Sequence, residues 1–522
     1  MSLVRRLFLT GSLTESLGIY VSMTVLQRGL GLVRVFVLTW LLTVEQYGLW
    51  GLGAMLFAIG APIVTLGSTG GVERYVSLFE ARGRLRAFYR MMRWSVPVLA
   101  LVLTSAALLA SDGITSLIFA AGKGPHGVTG DHQKLICWAA IANALLLALY
   151  LNMLAFLRGM RAHRAVSAVE ILFGLTFTAM ALVVLVVAPT GLAVLLAHAA
   201  AMVISLAAGM VLLHLGLEAS ASFQPQPPGT DEANRLAEGG GTVPLPNDVR
   251  RPRMLLRLLA YGLVSLLGTL LWTINTHISF YLTSTKLDKC DAGVFYAFMR
   301  LSQPLVLLAG AAWTVLFVHV ARHWEIRDRS ETMMVLETAY KAIAMSVMTL
   351  AVLVYAFSPL WVRTFKSEYR DKVELVGPLL MYFQAMAGMA MMAMLAKLRE
   401  RPMVIAVAAV VAGAANVALA EWWIPIYGVA GAAYAAGVGM FLGVTVVSLS
   451  YLVAIKAGLQ WRTIAVLALP AALLLPRWAA VGLWLAILGG VACTPLMFDK
   501  AQKRLLWAGL KAGINSRRRG RP

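Results

Sequence analysis

The first long apolar stretch of the chain, residues 16–42, reads SLGIYVSMTVLQRGLGLVRVFVLTWLL. It exceeds the roughly 20 residues with which an α-helix crosses a ~30 Å hydrocarbon core. Similar stretches recur along the whole chain, and the predicted spans are 16–42, 47–71, 94–111, 135–157, 166–188, 192–214, 255–283, 292–320, 336–361, 375–396, 403–423, 428–455, 463–475 and 479–497. The sequence therefore predicts an all-α polytopic membrane protein with about 14 transmembrane helices, or 12 if the short last two do not span.

The composition excludes a soluble fold. Of the 522 residues, 60% are hydrophobic and 13% are charged, and the mean hydropathy is +0.78. A soluble domain is about 45–50% apolar and about 25% charged. The three cysteines, Cys137, Cys290 and Cys493, are far apart along the chain. They indicate neither a disulfide framework nor a zinc site, and no cofactor is predicted.

Basic residues are distributed unevenly between the two sides of the predicted membrane. If the N-terminus is cytoplasmic and the spans alternate, 32 of the 45 lysines and arginines lie in cytoplasmic segments and 9 on the opposite side. Short cytoplasmic loops carry such an excess, so both termini are predicted to be cytoplasmic. Topology and anionic membrane lipids then explain the net charge of +21, and no nucleic acid partner is expected.

A long polar stretch divides the chain. Residues 215–254 are rich in proline and glycine, which predicts a flexible cytoplasmic linker. We therefore expect an N-terminal six-helix lobe at 1–214 and a C-terminal six-helix lobe at 255–455. Two additional helices at 456–498 and a basic cytoplasmic tail at 499–522 follow. The N-terminus lacks the pattern of a removable signal peptide.

The two predicted lobes share landmarks at a nearly constant offset. In the first span, residues spaced 4, 3, 4 and 3 positions apart form one helical face: Tyr20, Thr24, Gln27, Gly31 and Arg34. The seventh span repeats this spacing 241 positions later: Tyr261, Ser265, Gly268, Trp272 and Asn275. Tyr47–Trp50 likewise corresponds to Ala292–Tyr296, and Pro189–Ala193 to Pro425–Ala433. These echoes predict pseudo-symmetric lobes like those of parallel-repeat transporters.

Several segments resemble one family of membrane transporters. In chain order they are Gly29–Arg34, Leu41–Trp50, Leu66–Tyr75, Gly293–Leu301 and Ile424–Ala433. They are similar to polysaccharide (O-antigen type) flippases of the multidrug/oligosaccharidyl-lipid/polysaccharide exporter superfamily. The chain departs from that pattern in a longer central loop and two additional C-terminal spans, which leaves the polymer-related role open.

The resemblance implies a two-lobed, alternating-access transporter. Its cargo would be a lipid-linked oligosaccharide on polyprenyl pyrophosphate, moved from the cytoplasmic to the outer leaflet of a bacterial inner membrane. The product would serve cell-surface polysaccharide biosynthesis, including lipopolysaccharide. Membrane lipids, a polysaccharide polymerase and glycosyltransferases would be its partners.

Two arginines within the first span are the main candidates for binding such a cargo. A charge at bilayer depth costs at least ~2.5–3.5 kcal/mol, so Arg28 and Arg34 are expected to face a cavity or a partner. No acidic residue lies at their depth in this span, and a guanidinium group suits a pyrophosphate. Thr24 and Gln27 share the face of Arg34. The alternative is a structural tie to another helix's carbonyl groups or to Glu170.

Residues of the second lobe complete the predicted substrate site. Trp272 and Asn275 share a face of the seventh span, where an indole ring and an amide suit a sugar. Helix packing is the alternative role for both. Arg300 lies about two turns into the eighth span, where it lines the cavity or reaches the membrane interface.

Three charged residues lie near the cytoplasmic ends of spans. Glu73 and Arg74 follow Gly70-Gly71 at the predicted end of the second span, and they form either a cytoplasmic gate or an ordinary interfacial pair. Lys341 lies one or two turns inside the ninth span and is expected to extend to the interface.

Three rival functions remain open. A multidrug/cation antiporter of the same superfamily needs carboxylates within the membrane, and the spans offer few, such as Glu170 and Asp112. A lipid II flippase also has a cationic cavity, but its first span is less similar. A glycan polymerase, ligase or glycosyltransferase needs catalytic groups in a sizeable loop, and the longest outer loop, 112–134, has no metal-ligand spacing. We therefore expect no enzyme.

The charge asymmetry predicts which side of the membrane each loop occupies. Cysteines introduced at Ser222 and Ser516 should be labelled only from the cytoplasm, and one introduced at Ser367 only from outside. The measurement is labelling by a membrane-impermeant thiol reagent in intact and opened cells. Cytoplasmic labelling at Ser367 with Ser222 also inside would mean that a span of the second half is miscounted.

Overall fold

The computed structural model describes residues 13–81, 84–119, 130–160, 162–222, 251–307, 309–310, 313, 329–399, 401, 403–456, 460–495 and 497–504. This part is 91% helical and contains no strand. The helices are α1 (Leu13–Leu41), α2 (Val44–Val64), α3 (Ser68–Ala81), α4 (Leu85–Leu109), α5 (Ser111–Phe119), α6 (Gly130–Gly159), α7 (His163–Val187), α8 (Gly191–Ser222), α9 (Arg251–Lys286), α10 (Lys289–Ser302), α11 (Arg329–Ala356), α12 (Ser358–Val362), α13 (Ser367–Arg370), α14 (Val376–Gly388), α15 (Ala390–Leu398), α16 (Met403–Ala454), α17 (Trp461–Ala468) and α18 (Arg477–Cys493). Most of the predicted linker, the basic tail beyond residue 504 and Ser516 lie outside the described residues.

Eight of the described helical segments are long and apolar enough to cross a membrane: Val44–Val64, Leu85–Leu109, Asp131–Gly159, Arg164–Val187, Gly191–Glu218, Thr332–Ala356, Val373–Leu398 and Met403–Ala454. Shorter apolar helices follow at Trp461–Leu474 and Arg477–Val491. Helices α1 and α9, with 29 and 36 residues, also have the necessary length. These observations confirm an all-α polytopic membrane protein.

The second predicted span, 47–71, ends earlier than its hydropathy suggests. Helix α2 stops at Val64, and α3 begins at Ser68 after a turn in which Leu66 and Gly67 have φ angles of 47° and 66°. A Cβ atom at Gly67 would collide with the carbonyl oxygen of Gly262 in α9. Glycine at position 67 therefore suits the left-handed backbone and allows this turn to approach helix α9 closely.

The eleventh and twelfth predicted spans form one helical segment with a sharp internal break. Helix α16 has 52 residues, about twice the ~20 that cross a bilayer. Pro425 lies inside it, and Gly428 has φ 57° and ψ −135°, which is not helical. Proline removes a backbone donor and glycine permits the left-handed φ, so the chain reverses direction here without a conventional loop.

The described residues fall into two compact units. The first contains α1 up to Gly31, the chain from Leu49 through α8, and α9 up to Thr273. The second contains Leu32–Gly48 and the chain from Ile274 onward. Each unit thus includes part of α1 and part of α9. The division into lobes at 1–214 and 255–455 stays a prediction.

The core of the first unit is apolar and aromatic. Buried side chains from α3, α4, α6, α7 and α8 pack together, including Phe79, Phe88, Phe156, Val166 and Leu213. Phe79 and Phe88 stack at a centroid distance of 4.9 Å, and Phe88 lies 5.8 Å from Phe156. Apolar and aromatic packing thus joins these five helices of the first unit.

In the second unit, the two C-terminal helices pack against α11. The indole Nε1 of Trp484 donates to Thr349 Oγ1 at 3.2 Å, and the hydroxyl of Tyr355 donates to the carbonyl of Leu475 at 3.2 Å. Both bonds join α11 to the segment that follows α16. The predicted additional helices therefore belong to the second compact unit.

Lys341 does not extend to the interface as its position suggested. Its side chain is completely buried, and its ammonium group donates to Gln502 Oε1 at 3.2 Å and to Gln460 Oε1 at 3.4 Å. Glu337, one turn earlier, lies 3.9 Å away and accepts a hydrogen bond from Thr463. The chain after α18 folds back over the lysine, and hydrogen bonds replace the water that snorkelling would have provided.

The N-terminal turns of α2 and α10 meet through two glycines of the second unit. A Cβ atom at Gly48 would collide with the carbonyl oxygen of Lys289, and one at Gly293 would collide with that of Val44. The rings of Tyr47 and Tyr296 consequently lie 5.6 Å apart. Two landmarks of the predicted repeat thus lie against each other.

This close packing makes Gly48 and Gly293 sensitive to any added side chain. Gly48→Ala and Gly293→Ala should each destabilise the protein by about 1–3 kcal/mol, because the helix backbones must separate. The measurement is the apparent melting temperature of the purified protein in detergent. Gly482→Ala is the control, since nothing lies within 4 Å of its Cβ position. Equal melting temperatures for all three variants would contradict the packing.

Candidate functional site

The polar residues of α1 fall on both sides of the boundary between the two units. Gln27 and Arg28 belong to the first unit and Arg34 to the second. All three side chains are half-buried. The side chain of Thr24 lies outside the described residues.

Arg300 is held by two side chains of its own helix region. Its Nη2 donates to the hydroxyl of Tyr296, one turn earlier, and its Nη1 donates to Gln303 Oε1 at 2.7 Å. The guanidinium carbon also lies 4.8 Å from the centre of the Tyr296 ring. A cation–π contact and two hydrogen bonds thus fix this cation in one orientation.

Tyr47 is the residue that connects Arg34 with Arg300. Its hydroxyl is fully buried, and the charges of both guanidinium groups act on it. The hydroxyls of Tyr296 and Tyr369 act on the same group. Two arginines and three tyrosines, which we call the Arg34–Arg300 cluster, thus form a cationic, hydroxyl-rich centre in the second unit.

The C-terminal half of α1 is attached to the chain around α12 and α13. Phe36 stacks on Phe365 with ring centroids 4.8 Å apart, and Trp40 Nε1 donates to the carbonyl of Thr364 at 2.6 Å. Lys366 Nζ donates to the carbonyl of Leu42, just beyond the end of α1, at 2.6 Å. A cation at a helix C-terminus satisfies an otherwise unpaired carbonyl group and favours the helix dipole. These contacts fix the position of Arg34 in the second unit.

Asn275 lies among packed helices of the second unit. It is 3% exposed, and its carbonyl accepts a hydrogen bond from the hydroxyl of Tyr382 at 3.1 Å. Both side-chain amide atoms are buried without a hydrogen-bond partner among the described residues. A Cβ atom at Gly413 would come within 3.7 Å of the amide oxygen. Contact of Asn275 with a sugar stays a prediction, as does that of Trp272, which is half-buried in the first unit.

The predicted gate residues do not end the second membrane helix. Glu73 and Arg74 lie in α3, after the break at Leu66-Gly67, because the helix ends at that left-handed turn. Glu73 is exposed, and the side chain of Arg74 lies outside the described residues. Glu170, the predicted alternative partner for the deep arginines, pairs with Arg158 at 3.0 Å. A gating role stays a prediction.

Four residues of the site were not predicted from the sequence, namely Tyr47, Tyr296, Tyr369 and Gln303. Tyr47 and Tyr296 were recognised only as landmarks of the repeat. Tyr296 and Gln303 have a local signal, because Tyr296 precedes Arg300 by four residues and Gln303 follows it by three, so these three residues share one helical face. No group of three or more histidine, cysteine or acidic side chains that would hold a metal ion occurs in the described part of the chain.

Comparison with known proteins rests on structure alone, because no family model and no curated protein matches the sequence. The chain is similar to an inward-facing multidrug resistance MATE family transporter of the MOP superfamily, with a TM-score of 0.61 and 16% identity over 83% of this chain and 94% of that one. It is equally similar to the lipid II flippase MurJ in an inward closed conformation, with a TM-score of 0.61 and 13% identity over 91% and 98%. The chain has the fold of MOP-superfamily transporters.

A third known structure is also similar to this chain. A MOP superfamily transporter from Pyrococcus furiosus matches with a TM-score of 0.57 and 14% identity, over 88% of this chain and 99% of that one. The alignments include 94–99% of the three known structures and 83–91% of this chain. The shared fold therefore extends over most of this chain. The structural neighbours are transporters rather than enzymes.

The contacts of Tyr296 predict how firmly Arg300 is held. Tyr296→Phe keeps the ring but removes the hydroxyl acceptor, and should destabilise the protein by about 1.5–3 kcal/mol because the bond involves a charged donor. Tyr296→Leu should cost more, since the cation–π contact is also lost. The measurement is the apparent melting temperature. Tyr427→Phe, at an exposed tyrosine, is the control, and an equal effect there would contradict the assignment.

Proposed function

We propose that the chain flips a lipid-linked oligosaccharide on polyprenyl pyrophosphate from the cytoplasmic to the outer leaflet of a bacterial inner membrane. It works by alternating access, with both termini cytoplasmic, and supplies cell-surface polysaccharide biosynthesis of the O-antigen type. A polysaccharide polymerase and glycosyltransferases act with it. The MOP-superfamily fold supports transport, and the cargo is inferred from the chemistry of the site.

The observation that carries this proposal is the Arg34–Arg300 cluster. Two guanidinium groups act on one buried tyrosine. A cationic site at membrane depth favours an anionic ligand. A pyrophosphate offers oxygens that a planar guanidinium fork binds bidentately. Arg34 and Arg300 bind this group in the proposal.

A multidrug/cation antiporter is less well supported, although a MATE transporter shares the fold. Such a protein needs carboxylates that can take up a cation. Of the carboxylates described within the helices, Glu170 pairs with Arg158, and Glu337 accepts from Thr463 beside Lys341. Both of these carboxylates thus have partners of their own, and the two arginines of the Arg34–Arg300 cluster favour an anionic cargo.

A lipid II flippase is the second candidate function. The lipid II flippase MurJ aligns over 98% of its length with this chain. That similarity shows the fold, and a lipid-linked cargo would suit the same cationic cluster. The two candidates share the reaction class and differ in the glycan. Complementation of strains lacking either flippase would separate them.

The test of the anion site is a charge series at Arg34 in a strain that lacks the chromosomal copy of the gene. Arg34→Ala should lower surface-glycan output by at least about tenfold, since hydrogen bonds to charged groups contribute ~1.5–3 kcal/mol. Arg34→Lys should retain part of the output, because it keeps charge but loses the fork. Arg34→Glu should give the lowest surface-glycan output, because it reverses the charge. Arg300→Ala should resemble Arg34→Ala.

The matched control is Arg477→Ala. Arg477 is also half-buried in the second unit, and its guanidinium carbon lies 4.9 Å from the Trp478 ring, but it is not among the groups that act on Tyr47. The surface-glycan output of the Arg477→Ala variant should equal that of the natural protein. Membrane abundance is measured in parallel. Normal output from the Arg34→Ala/Arg300→Ala double variant at normal abundance would refute the anion site.

A further inference from the structure

The exposed face of α4, in the first unit, begins with a row of arginines. Arg86, Arg90 and Arg93 are exposed in the first three turns of the helix, and Arg84 is exposed at its N-cap. Positions 86, 90 and 93 are spaced four and three residues apart, so these three side chains lie on one side of the helix within about 10 Å of its length. We call Arg86, Arg90 and Arg93 the α4 arginine stripe.

An exposed indole separates the α4 arginine stripe from exposed aliphatic side chains. Trp94 follows the stripe directly and is 65% exposed, and Val98 and Leu101 are also exposed further along the helix. All of them belong to the segment Leu85–Leu109, which is long and apolar enough to cross a membrane. Tryptophan prefers the boundary between headgroups and hydrocarbon. Trp94 at that boundary places the aliphatic side chains among acyl chains and the stripe among headgroups.

The opposite face of α4 is fixed in the core of the first unit. Phe88, Met92 and Val96 are buried there. The ring of Phe88 stacks on Phe79 of α3 at a centroid distance of 4.9 Å and lies 5.8 Å from Phe156 of α6. Because this packing holds one side of the helix, the α4 arginine stripe on the other side keeps facing outward.

Helix α4 does not balance the charge of its own arginines. Its sequence contains no aspartate or glutamate. The guanidinium carbon of Arg93 lies 5.3 Å from the centre of the Trp94 ring, a cation–π contact that leaves the net charge unchanged. On α3, which precedes α4, Glu73 is exposed, and the side chain of Glu80 lies outside the described residues. An anionic ligand would supply the negative charge that α4 itself lacks.

We propose that the α4 arginine stripe and Trp94 form a binding site for the headgroups of anionic phospholipids. A phosphate group accepts paired N–H donors from a guanidinium group, and basic residues beside a membrane helix attract an anionic leaflet. An acidic protein segment would also suit the arginines. It would not suit the aliphatic surface into which the stripe continues on the same helix, whereas the acyl chains of the same lipid do.

This lipid site is separate from the proposed transport site. The stripe lies in the first unit, whereas the Arg34–Arg300 cluster lies in the second. The predicted topology places the stripe on the cytoplasmic side of the membrane, where it holds the first unit at a fixed depth. The inference does not depend on which cargo the protein carries.

The natural protein tests this site through the fluorescence of Trp94. It is reconstituted in vesicles of phosphatidylcholine and phosphatidylglycerol in which one lipid carries brominated acyl chains, because bromine quenches an indole on contact. The chain has 14 tryptophans, so the Trp94 signal is the difference from a Trp94→Phe variant. Phosphatidylglycerol should bind beside Trp94 at least about fivefold more strongly than phosphatidylcholine, the ratio expected for one arginine near an anionic lipid. Equal quenching by both lipids would leave the stripe to an acidic protein partner and overturn the proposal.

Salt separates an electrostatic site from a preference of the indole itself. The screening length falls from about 10 Å at 0.1 M salt to about 3 Å at 1 M. The preference of Trp94 for phosphatidylglycerol should therefore be largely lost at the higher salt concentration. A preference that does not depend on salt would contradict binding by the arginines.

Trp422 in α16 is the matched control indole. It is 66% exposed, almost the same fraction as Trp94, but the residue before it is Glu421 rather than an arginine. Its signal is obtained in the same way from a Trp422→Phe variant and should show no preference for phosphatidylglycerol. An equal preference at both tryptophans would mean that anionic lipid gathers around the whole protein, and would overturn a site on α4.

Variants of the stripe test whether the arginines bind the lipid. Arg86→Gln/Arg90→Gln/Arg93→Gln should bring the ratio of the two lipids at Trp94 close to one. Arg86→Lys/Arg90→Lys/Arg93→Lys should keep part of the preference, because it keeps the charges but loses the planar forks. A full preference in the glutamine variant would overturn the proposal. Where that variant does not insert, the comparison of Trp94 with Trp422 in the natural protein still decides.

The control variant removes the same number of positive charges elsewhere. Arg401, Lys456 and Arg504 are exposed in the second unit, and the predicted topology places them on the same side of the membrane as the stripe. Arg401→Gln/Lys456→Gln/Arg504→Gln should keep the preference of Trp94 for phosphatidylglycerol. Loss of the preference in this variant would mean that the total charge of the protein attracts the lipid, and would overturn the site on α4.

Discussion

The hydrocarbon of a bilayer cannot hydrogen-bond a polypeptide backbone, and the described structure follows from this constraint. It accounts for the helical content of the described residues. At Leu66-Gly67 the chain leaves the helix, and Gly262 of α9 packs directly against the break. At Gly428 the reversal is combined with Pro425, which has no backbone N–H to satisfy.

Glycine residues determine where the polar side chains of the second unit lie. Gly48 and Gly293 allow α2 and α10 to approach until backbone meets backbone, and the neighbouring tyrosines come together as a result. Tyr296 then fixes Arg300, and Tyr47 brings that cation into the same electrostatic environment as Arg34. The positions of the charged groups thus depend on residues that carry no functional atoms themselves.

Each unit places one polar centre among apolar side chains, and the two centres have different chemistry. In the second unit, guanidinium groups are permanently charged and are surrounded by hydroxyls. In the first, the imidazole of His198 contacts aromatic rings and one side-chain amide. Lys341 is also buried, but glutamine side chains and Glu337 satisfy it, which is a structural arrangement. A permanent charge suits recognition of an anion.

Hydropathy by itself determined the fold class and the candidate arginines, because the cost of exposing polar groups to lipid acts on each segment separately. Local sequence did not show that 47–71 is broken at Leu66-Gly67, since the break depends on contact with Gly262, nearly 200 residues later. It also did not show that Lys341 is buried, because Gln460 and Gln502 reach it only after the chain folds back. The association of Arg34, Tyr47 and Arg300 was decided by tertiary structure for the same reason: it depends on two helix ends meeting through glycines, and a contact between distant segments leaves no periodic signal in either one.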